Sequence, residues 1–193
     1  HRDANKGSHG RVVVIAGSDA MPGAALLTLR ASMHAGAGYA TLISTKSVCQ
    51  SAAAALPEAI YVACPPEPDG TLSFTATQQE ILTRISRTDC IAIGPGLGRT
   101  DETAAIVAYV LEMFTGPVVI DADALYAASP LRLKERAAAG RETILTPHPG
   151  EAAAAYGVES TQGNHFDRGC NSNTATVDGF RCGRFFRAGT PRH

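Results

Sequence analysis

The chain has 193 residues, of which 45% are hydrophobic, and it carries a formal net charge of −1 at pH 7. That length fits one domain with a sizeable core, and the balanced charge excludes a broad basic face for nucleic acid or anionic membrane. No apolar run reaches the roughly 18 residues that a transmembrane helix needs.

The opening segment, HRDANKGSHG, has neither an initiator Met nor a basic-then-apolar leader. We therefore expect it to come from the interior of a longer protein. The five cysteines form no CxxC pair, which favours reduced thiols and a cytoplasmic location.

Short apolar runs alternate with helical patterns over the first 157 residues. The predicted strands are RVVVIAG (11–17), YATLIST (39–45), AIYVAC (59–64), CIAIG (90–94), PVVIDA (117–122) and ETILT (142–146). The predicted helices cover residues 21–36, 47–56, 75–86 and 100–114. Runs rich in Val and Ile that alternate with helices indicate a parallel sheet covered on both faces. The expected fold class is α/β, with a doubly wound, mostly parallel sheet in three α/β/α layers.

The alternation stops near residue 157, and from Gly163 onward the sequence follows neither the helix nor the strand period. No Leu or Ile occurs after Leu145, whereas five arginines and four phenylalanines fall in the last 31 positions. We interpret residues 1–157 as the N-terminal part of the domain and residues 158–193 as an atypical tail, so we expect the sheet to be incomplete at its C-terminal end. Two explanations of the tail remain open, a disordered or extended segment and a frameshifted coding sequence.

Small, polar and charged residues follow four of the predicted strands. In open parallel sheets ligands lie outside the carboxyl ends of the strands, so these segments are expected to meet at that end of the sheet. The segments are residues 18–24, 94–98, 121–123 and 147–151. Their convergence predicts a ligand site.

The segment Gly94–Gly98 has the spacing G-x-G-x-G, which differs from the G-x-G-x-x-G dinucleotide fingerprint. Arg99 occupies the position of the third small residue, and the loop follows three earlier strands. Both facts argue against a Rossmann oxidoreductase. Glycines still let a ligand approach the backbone, and a helix from Thr100 offers free N–H groups. The alternative is a tight turn without a ligand.

Two aspartates, Asp121 and Asp123, lie at the end of one predicted strand. They share a face if the strand continues and occupy neighbouring turns if it ends. Metal binding, ribose contact, general-base catalysis and helix capping all remain open for them. Earlier in the chain, Asp19 is expected to cap the helix that begins at Pro22.

The segment LTPHPGEAA places His148 between two prolines. The stiff backbone fixes the position of the imidazole, which predicts a functional role. Pro149 is expected to begin a helix, with Glu151 in its first turn.

Together the segments KGSHGRVVVIAGS, MPGAALLTLRASMHAGAGYATL, IAIGPGLG, PVVIDADAL and ILTPHPGEAA resemble the ADP- or ATP-dependent NAD(P)H-hydrate dehydratase family, which has a ribokinase-like fold. The resemblance covers residues 6–157. It implies repair of hydrated NADH and NADPH: ADP or ATP phosphorylates the added hydroxyl, elimination restores the reduced ring, and Mg²⁺ neutralises phosphate charge.

The resemblance also assigns site residues and partners. It places substrate binding at Ala24, Gly96 and His148, with Asp121 and Asp123 lining the same cleft. It implies a homo-oligomer that acts on a small molecule. From the charge, hydropathy and cysteine pattern we expect a cytoplasmic protein that binds neither nucleic acid nor membrane.

The family's second half carries a KGAGT-like segment for the adenine nucleotide and a GGTGD-like loop whose amides and Asp serve phosphoryl transfer. This sequence contains neither segment. No catalytic residue or metal ligand is therefore assigned, and we expect the chain as written to lack the ADP site and to show little or no repair activity. Two alternatives stay open, a non-catalytic dinucleotide-binding remnant and a related small-molecule kinase; TPHPGE argues against the kinase.

Overall fold

The computed structural model describes residues 10–156, 174–177 and 180–183. Its strands are β1 (Arg11–Ile15), β2 (Tyr39–Thr45), β3 (Ile60–Cys64), β4 (Cys90–Ile93), β5 (Val118–Ile120), β6 (Thr143–Leu145), β7 (Thr174–Val177) and β8 (Phe180–Gly183). Its α-helices are α1 (Pro22–His34), α2 (Lys46–Ala55), α3 (Phe74–Arg84), α4 (Asp101–Met113), α5 (Asp123–Ala127), α6 (Pro130–Ala138) and α7 (Pro149–Tyr156).

The strands form one sheet in the order β3-β2-β1-β4-β5-β6-β8-β7. The first six strands are all parallel, which confirms the predicted doubly wound sheet. The order reverses between β1 and β4, because the chain leaves β1 toward one edge and returns to build the other. A crevice is expected at this switch point.

Apolar residues alternate between the two faces of the sheet. In β1, Val13 and Ile15 pack on the face covered by α3 and α4, whereas Val14 packs with α1 and α2 on the opposite face. This period of two follows from strand geometry and explains why β1 reads as a continuous apolar run.

The structure adds elements that the sequence pattern did not predict. The segment after β5 contains two helices, α5 and α6, and the predicted tail contributes the antiparallel pair β7 and β8. Strand β8 pairs parallel with β6 and extends the sheet. The proposed boundary at residue 157 lies outside the described residues, so the division into domain and tail stays a prediction.

A buried arginine closes the corner where α4 ends and β6 begins. Arg136 of α6 is only 2% exposed, and burial lowers the pKa of its guanidinium, with the charge of Arg141 acting in the same direction. It donates hydrogen bonds to the carbonyl oxygens of Leu111, Phe114, Gly116 and Glu142 and to the hydroxyl of Thr143. One side chain therefore satisfies backbone acceptors that α4 and the following turn leave unpaired.

None of the helices in the described part of the chain combines the length and hydropathy that a membrane span requires.

Candidate functional site

The loops that follow β1 and β4 meet at the switch point. The backbone N–H of Gly17 donates to the carbonyl oxygen of Pro95 at 2.8 Å, and the N–H of Gly94 donates to that of Ile15 at 3.1 Å. These bonds continue the pairing of the two strands beyond their ends. They fix the two predicted ligand loops against each other.

Ala24 and Gly96, two of the predicted substrate-binding residues, are in contact. A Cβ on Gly96 would lie 2.8 Å from Cβ of Ala24 and 3.0 Å from that of Met21, and Gly96 has φ +70°. Both the space and the backbone conformation therefore require glycine. Gly96 is buried by this packing while Ala24 stays half-buried, so Ala24 offers more surface to a ligand.

The prediction that Asp19 caps α1 is wrong. Helix α1 begins after Met21 and has no side-chain cap. Instead, Oδ1 of Asp19 accepts hydrogen bonds from the hydroxyls of Thr45 and Ser47 beside α2, and these bonds lower the pKa of the Asp19 carboxyl, the Ser47 bond most. Asp19 thereby ties the loop after β1 to the end of β2.

Gly94 allows the loops after β4 and β5 to approach each other. It has φ +129°, and a Cβ there would lie 1.8 Å from the carbonyl oxygen of Asp121. No other residue type fits this position without moving the backbone.

Asp121 and Asp123 lie in different surroundings. Strand β5 ends at Ile120, and Ala122 takes φ +50° before Asp123 begins α5, so the two aspartates do not share a strand face. Oδ2 of Asp123 accepts the N–H of Gly98 at 3.0 Å. The carboxylate of Asp121 is half-buried and makes no hydrogen bond or ion pair within the described residues.

Arg99 joins the glycine loop to α5 by its side chain. Its Nε lies 3.3 Å from Oδ1 of Asp123, and its guanidinium stacks 3.5 Å from the ring centroid of Tyr126. Residues 123 and 126 are one helical turn apart, so both reach the same arginine.

The ring of His148 caps α7, and these capping bonds hold the imidazole in place. Nδ1 accepts the N–H groups of Gly150 at 3.0 Å and Glu151 at 3.2 Å. Glu151 in turn accepts the N–H of His148 at 2.9 Å, and its other oxygen lies 3.4 Å from Nε2. This is a capping box with histidine as the N-cap, and it leaves the ring hydrogen on Nε2. The His148 side chain is 67% exposed.

These residues lie in a row along the carboxyl ends of the strands. Strands β1, β4, β5 and β6 are consecutive neighbours, so their loops span about 14 Å at roughly 4.8 Å per strand. Ala24 and Gly96 occupy one end, the aspartates the middle and His148 the other end.

Comparison with known proteins identifies the group to which this arrangement belongs. Residues 12–174 match the family model described as NAD(P)H-hydrate dehydratase. The chain belongs to the NAD(P)H-hydrate dehydratase family.

One relative is the ADP-dependent (S)-NAD(P)H-hydrate dehydratase of Xanthomonas campestris pv. campestris, 36% identical over 153 residues, which are 79% of this chain and 50% of the relative. The crystal structure of the Bacillus subtilis ADP/ATP-dependent NAD(P)H-hydrate dehydratase, co-crystallised with ATP/Mg²⁺, has a TM-score of 0.63 at 32% identity and covers 84% of this chain and 52% of its own. A ribokinase-like superfamily protein from Enterococcus faecalis V583 has a TM-score of 0.66 at 25% identity, covering 85% and 54%.

These comparisons confirm the ribokinase-like α/β fold. They also show how much of its relatives' length this chain covers. The chain spans about half the length of the two single-activity relatives and about a third of the length of similar bifunctional NAD(P)H-hydrate repair enzymes.

A cavity of about 450 Å³ lies at the opposite end of the sheet. Arg11 and Tyr39, at the amino ends of β1 and β2, line it together with Arg84, the last residue of α3. None of the residues that the family resemblance assigns to substrate binding lies there, so the cavity is separate from the family's cleft.

Sequence reasoning missed the roles of Arg99 and Tyr126 in this family member. No sequence signal could have found them, because Asp123 and Tyr126 lie 24 and 27 positions from Arg99 and meet it only in the folded chain.

Proposed function

We propose that the protein acts in the ADP- or ATP-dependent dehydration of hydrated NADH and NADPH, and that this chain supplies the dinucleotide-binding side of the site. The observation that carries the proposal is the contact between Ala24 and Gly96 at the switch point of a chain that matches the family over residues 12–174. The relatives' names and the ATP/Mg²⁺ co-crystal support the reaction class.

The described residues fit one side of such a reaction. A dinucleotide laid along the loops would contact the small surface at Ala24, and the unpartnered carboxylate of Asp121 would accept hydrogen bonds from ribose hydroxyls. Nε2–H of His148 would donate a further bond at the far end. In the proposed reaction the nucleotide's phosphoryl group turns the added hydroxyl into a better leaving group, and elimination follows.

The described residues form no cluster of protein ligands that could hold a metal ion by itself. No group of three His, Cys, Asp or Glu side chains within residues 10–156 could hold a metal ion, and both oxygens of Asp123 already have partners. The proposal therefore takes no step through the ion. It assigns the phosphoryl donor to sequence beyond the described residues.

Binding tests the proposal directly. We expect NADPH to bind the purified chain, followed by its fluorescence, and ADP to bind far more weakly or not at all. Gly96→Ala should weaken NADPH binding about tenfold, because its Cβ displaces Ala24 and Met21. Gly36→Ala is the matched control, since Gly36 also has positive φ, +99°, but nothing lies within 4 Å of the place that a Cβ would take there. A folded chain that binds no NADPH would refute the proposal.

Turnover separates the alternatives. We expect no ADP-dependent recovery of NADPH from hydrated NADPH by this chain alone, followed by absorbance of the reduced nicotinamide. Recovery of NADPH would show that this chain does contain the site for the phosphoryl donor. Strong ADP binding without NADPH binding would instead favour the related kinase.

The homo-oligomeric state and the cytoplasmic location stay predictions. Light scattering of the purified chain tests the first, and fractionation of cells that express it tests the second.

A further inference from the structure

The carboxylate of Asp123 is fully engaged by the glycine loop, in contrast to that of Asp121. Its side chain is only 16% exposed, one oxygen accepts the Gly98 N–H and the other faces Nε of Arg99. Metal binding and general-base catalysis had both remained open for Asp123. The contacts with Gly98 and Arg99 occupy one acceptor site on each oxygen and give the carboxylate a structural use.

We propose that Asp123 is a positioning residue, which holds the loop from Gly94 to Arg99 in the geometry that the dinucleotide requires. The inference rests on the proposed function and deepens it, since it says how the cleft keeps its shape. Asp123 acts on the ligand through the loop and does not touch it.

The loop gains from such a support because three of its six residues are glycines. Gly94, Gly96 and Gly98 all have positive φ, between +70° and +129°, and glycine restricts the backbone least of all residues. Leu97 is fully buried and anchors the middle of the loop. Between Leu97 and the N-cap Thr100 of α4, the Gly98 N–H donates one hydrogen bond, which Oδ2 of Asp123 accepts, and this bond fixes the backbone of Gly98.

The same short helix holds Arg99 from two directions. Asp123 binds Nε, and Tyr126 on the next turn stacks against the guanidinium plane. A charge-assisted bond and a cation–π contact together define one orientation of this side chain. Helix α5 therefore sets both the backbone and the terminal side chain of the loop.

The decisive experiment compares three variants of the full chain: Asp123→Ala, Asp123→Asn and Asp101→Ala. Asparagine keeps an oxygen that can accept the Gly98 N–H. Asp101 is an exposed carboxylate at the start of α4 without a partner in the described residues, so it controls for loss of a nearby charge. Two quantities are measured on each: NADPH affinity, and hydrogen-exchange protection of the Gly98 amide by NMR.

Asp123→Ala should lower the protection of the Gly98 amide and weaken NADPH binding about tenfold, the loss expected for a hydrogen bond to a charged group. Asp123→Asn should keep most of both, and Asp101→Ala should change neither. Unchanged NADPH affinity in Asp123→Ala, with the amide protection lost, would overturn the positioning role. Equal damage from Asn and Ala, with the amide still protected in Asn, would show that the carboxylate acts directly.

The two readouts also separate this inference from the proposed function. If the wild-type chain binds no NADPH, the proposed function fails. Hydrogen exchange of the Gly98 amide still tests the positioning role of Asp123 in the same samples. Unchanged protection of this amide in Asp123→Ala would overturn that role.

Discussion

Arg136 and Asp123 have related structural roles in a closed and an open region of the molecule. Each is a charged side chain that binds backbone atoms where regular elements end. Arg136 is 2% exposed and meets only protein oxygens, whereas Asp123 joins an open loop to an arginine that is 58% exposed. The region that secures the fold at Arg136 is therefore separate from the open loop that Asp123 holds.

The loop region is still not loose throughout. Its base is fixed by backbone bonds between β1 and β4 and by the close approach of Gly94 to Asp121. Farther from the strand ends, at Asp123, Asp19 and His148, side-chain hydrogen bonds hold the loops instead. We call these three positions the rim. Substitutions at the rim should therefore change binding more than stability, and those at Arg136 the reverse.

The largest effect is expected for Arg136→Met, which removes the donors from four carbonyl oxygens and one hydroxyl. Leaving buried acceptors unsatisfied should cost about 3–5 kcal/mol of unfolding free energy, measured by urea denaturation.

Arg132→Met is the matched control on the same helix. Arg132 forms an exposed pair with Glu112, so its loss should change stability by about 0.5 kcal/mol or less. A similar small change for Arg136→Met would remove the contrast between the two regions.

Arg136 also shows where sequence reasoning failed. Helix α6 turns Leu133 and Arg136 inward, three residues apart, and an arginine on the buried face interrupts the apolar period by which helices are recognised. Helix α5 has five residues, too few to show a period at all. The parallel strands, in contrast, were predicted because burial on both faces leaves them as unbroken Val and Ile runs.

The site was predicted only in part, for similar reasons. The alternation of strands and helices predicts that the loops containing Ala24, Gly96 and His148 follow parallel strands at the same end of the sheet. That these residues bind substrate came from the family resemblance and stays a prediction. The partners of Asp19 could not be predicted, because Thr45 and Ser47 are 26 and 28 residues away and meet it only after folding. The capping role of His148 was readable, since Glu151 stands at the N3 position of a capping box.

A smaller effect is expected at His148, where capping and ligand binding can be separated. His148→Ala should cost about 1 kcal/mol of stability through loss of the cap. His148→Asn keeps a capping side chain and should retain most of that stability. If the imidazole contacts the dinucleotide, both variants weaken NADPH binding. If only the cap matters, binding in His148→Asn equals that of the wild type.

The smallest effect is expected at Asp19, on the rim beside α2. The hydroxyls of Ser47 and Thr45 stabilise its charged form, so its pKa is lower in the folded chain than in the unfolded one. Its contribution to stability is therefore present above the unfolded pKa, near 3.8, and is lost as the pH falls through the folded pKa. Wild-type Tm should fall more steeply with acidification than that of Asp19→Asn. Parallel curves for the two proteins would show that the hydroxyl bonds do not couple Asp19 to folding, and that the rim is held by its backbone alone.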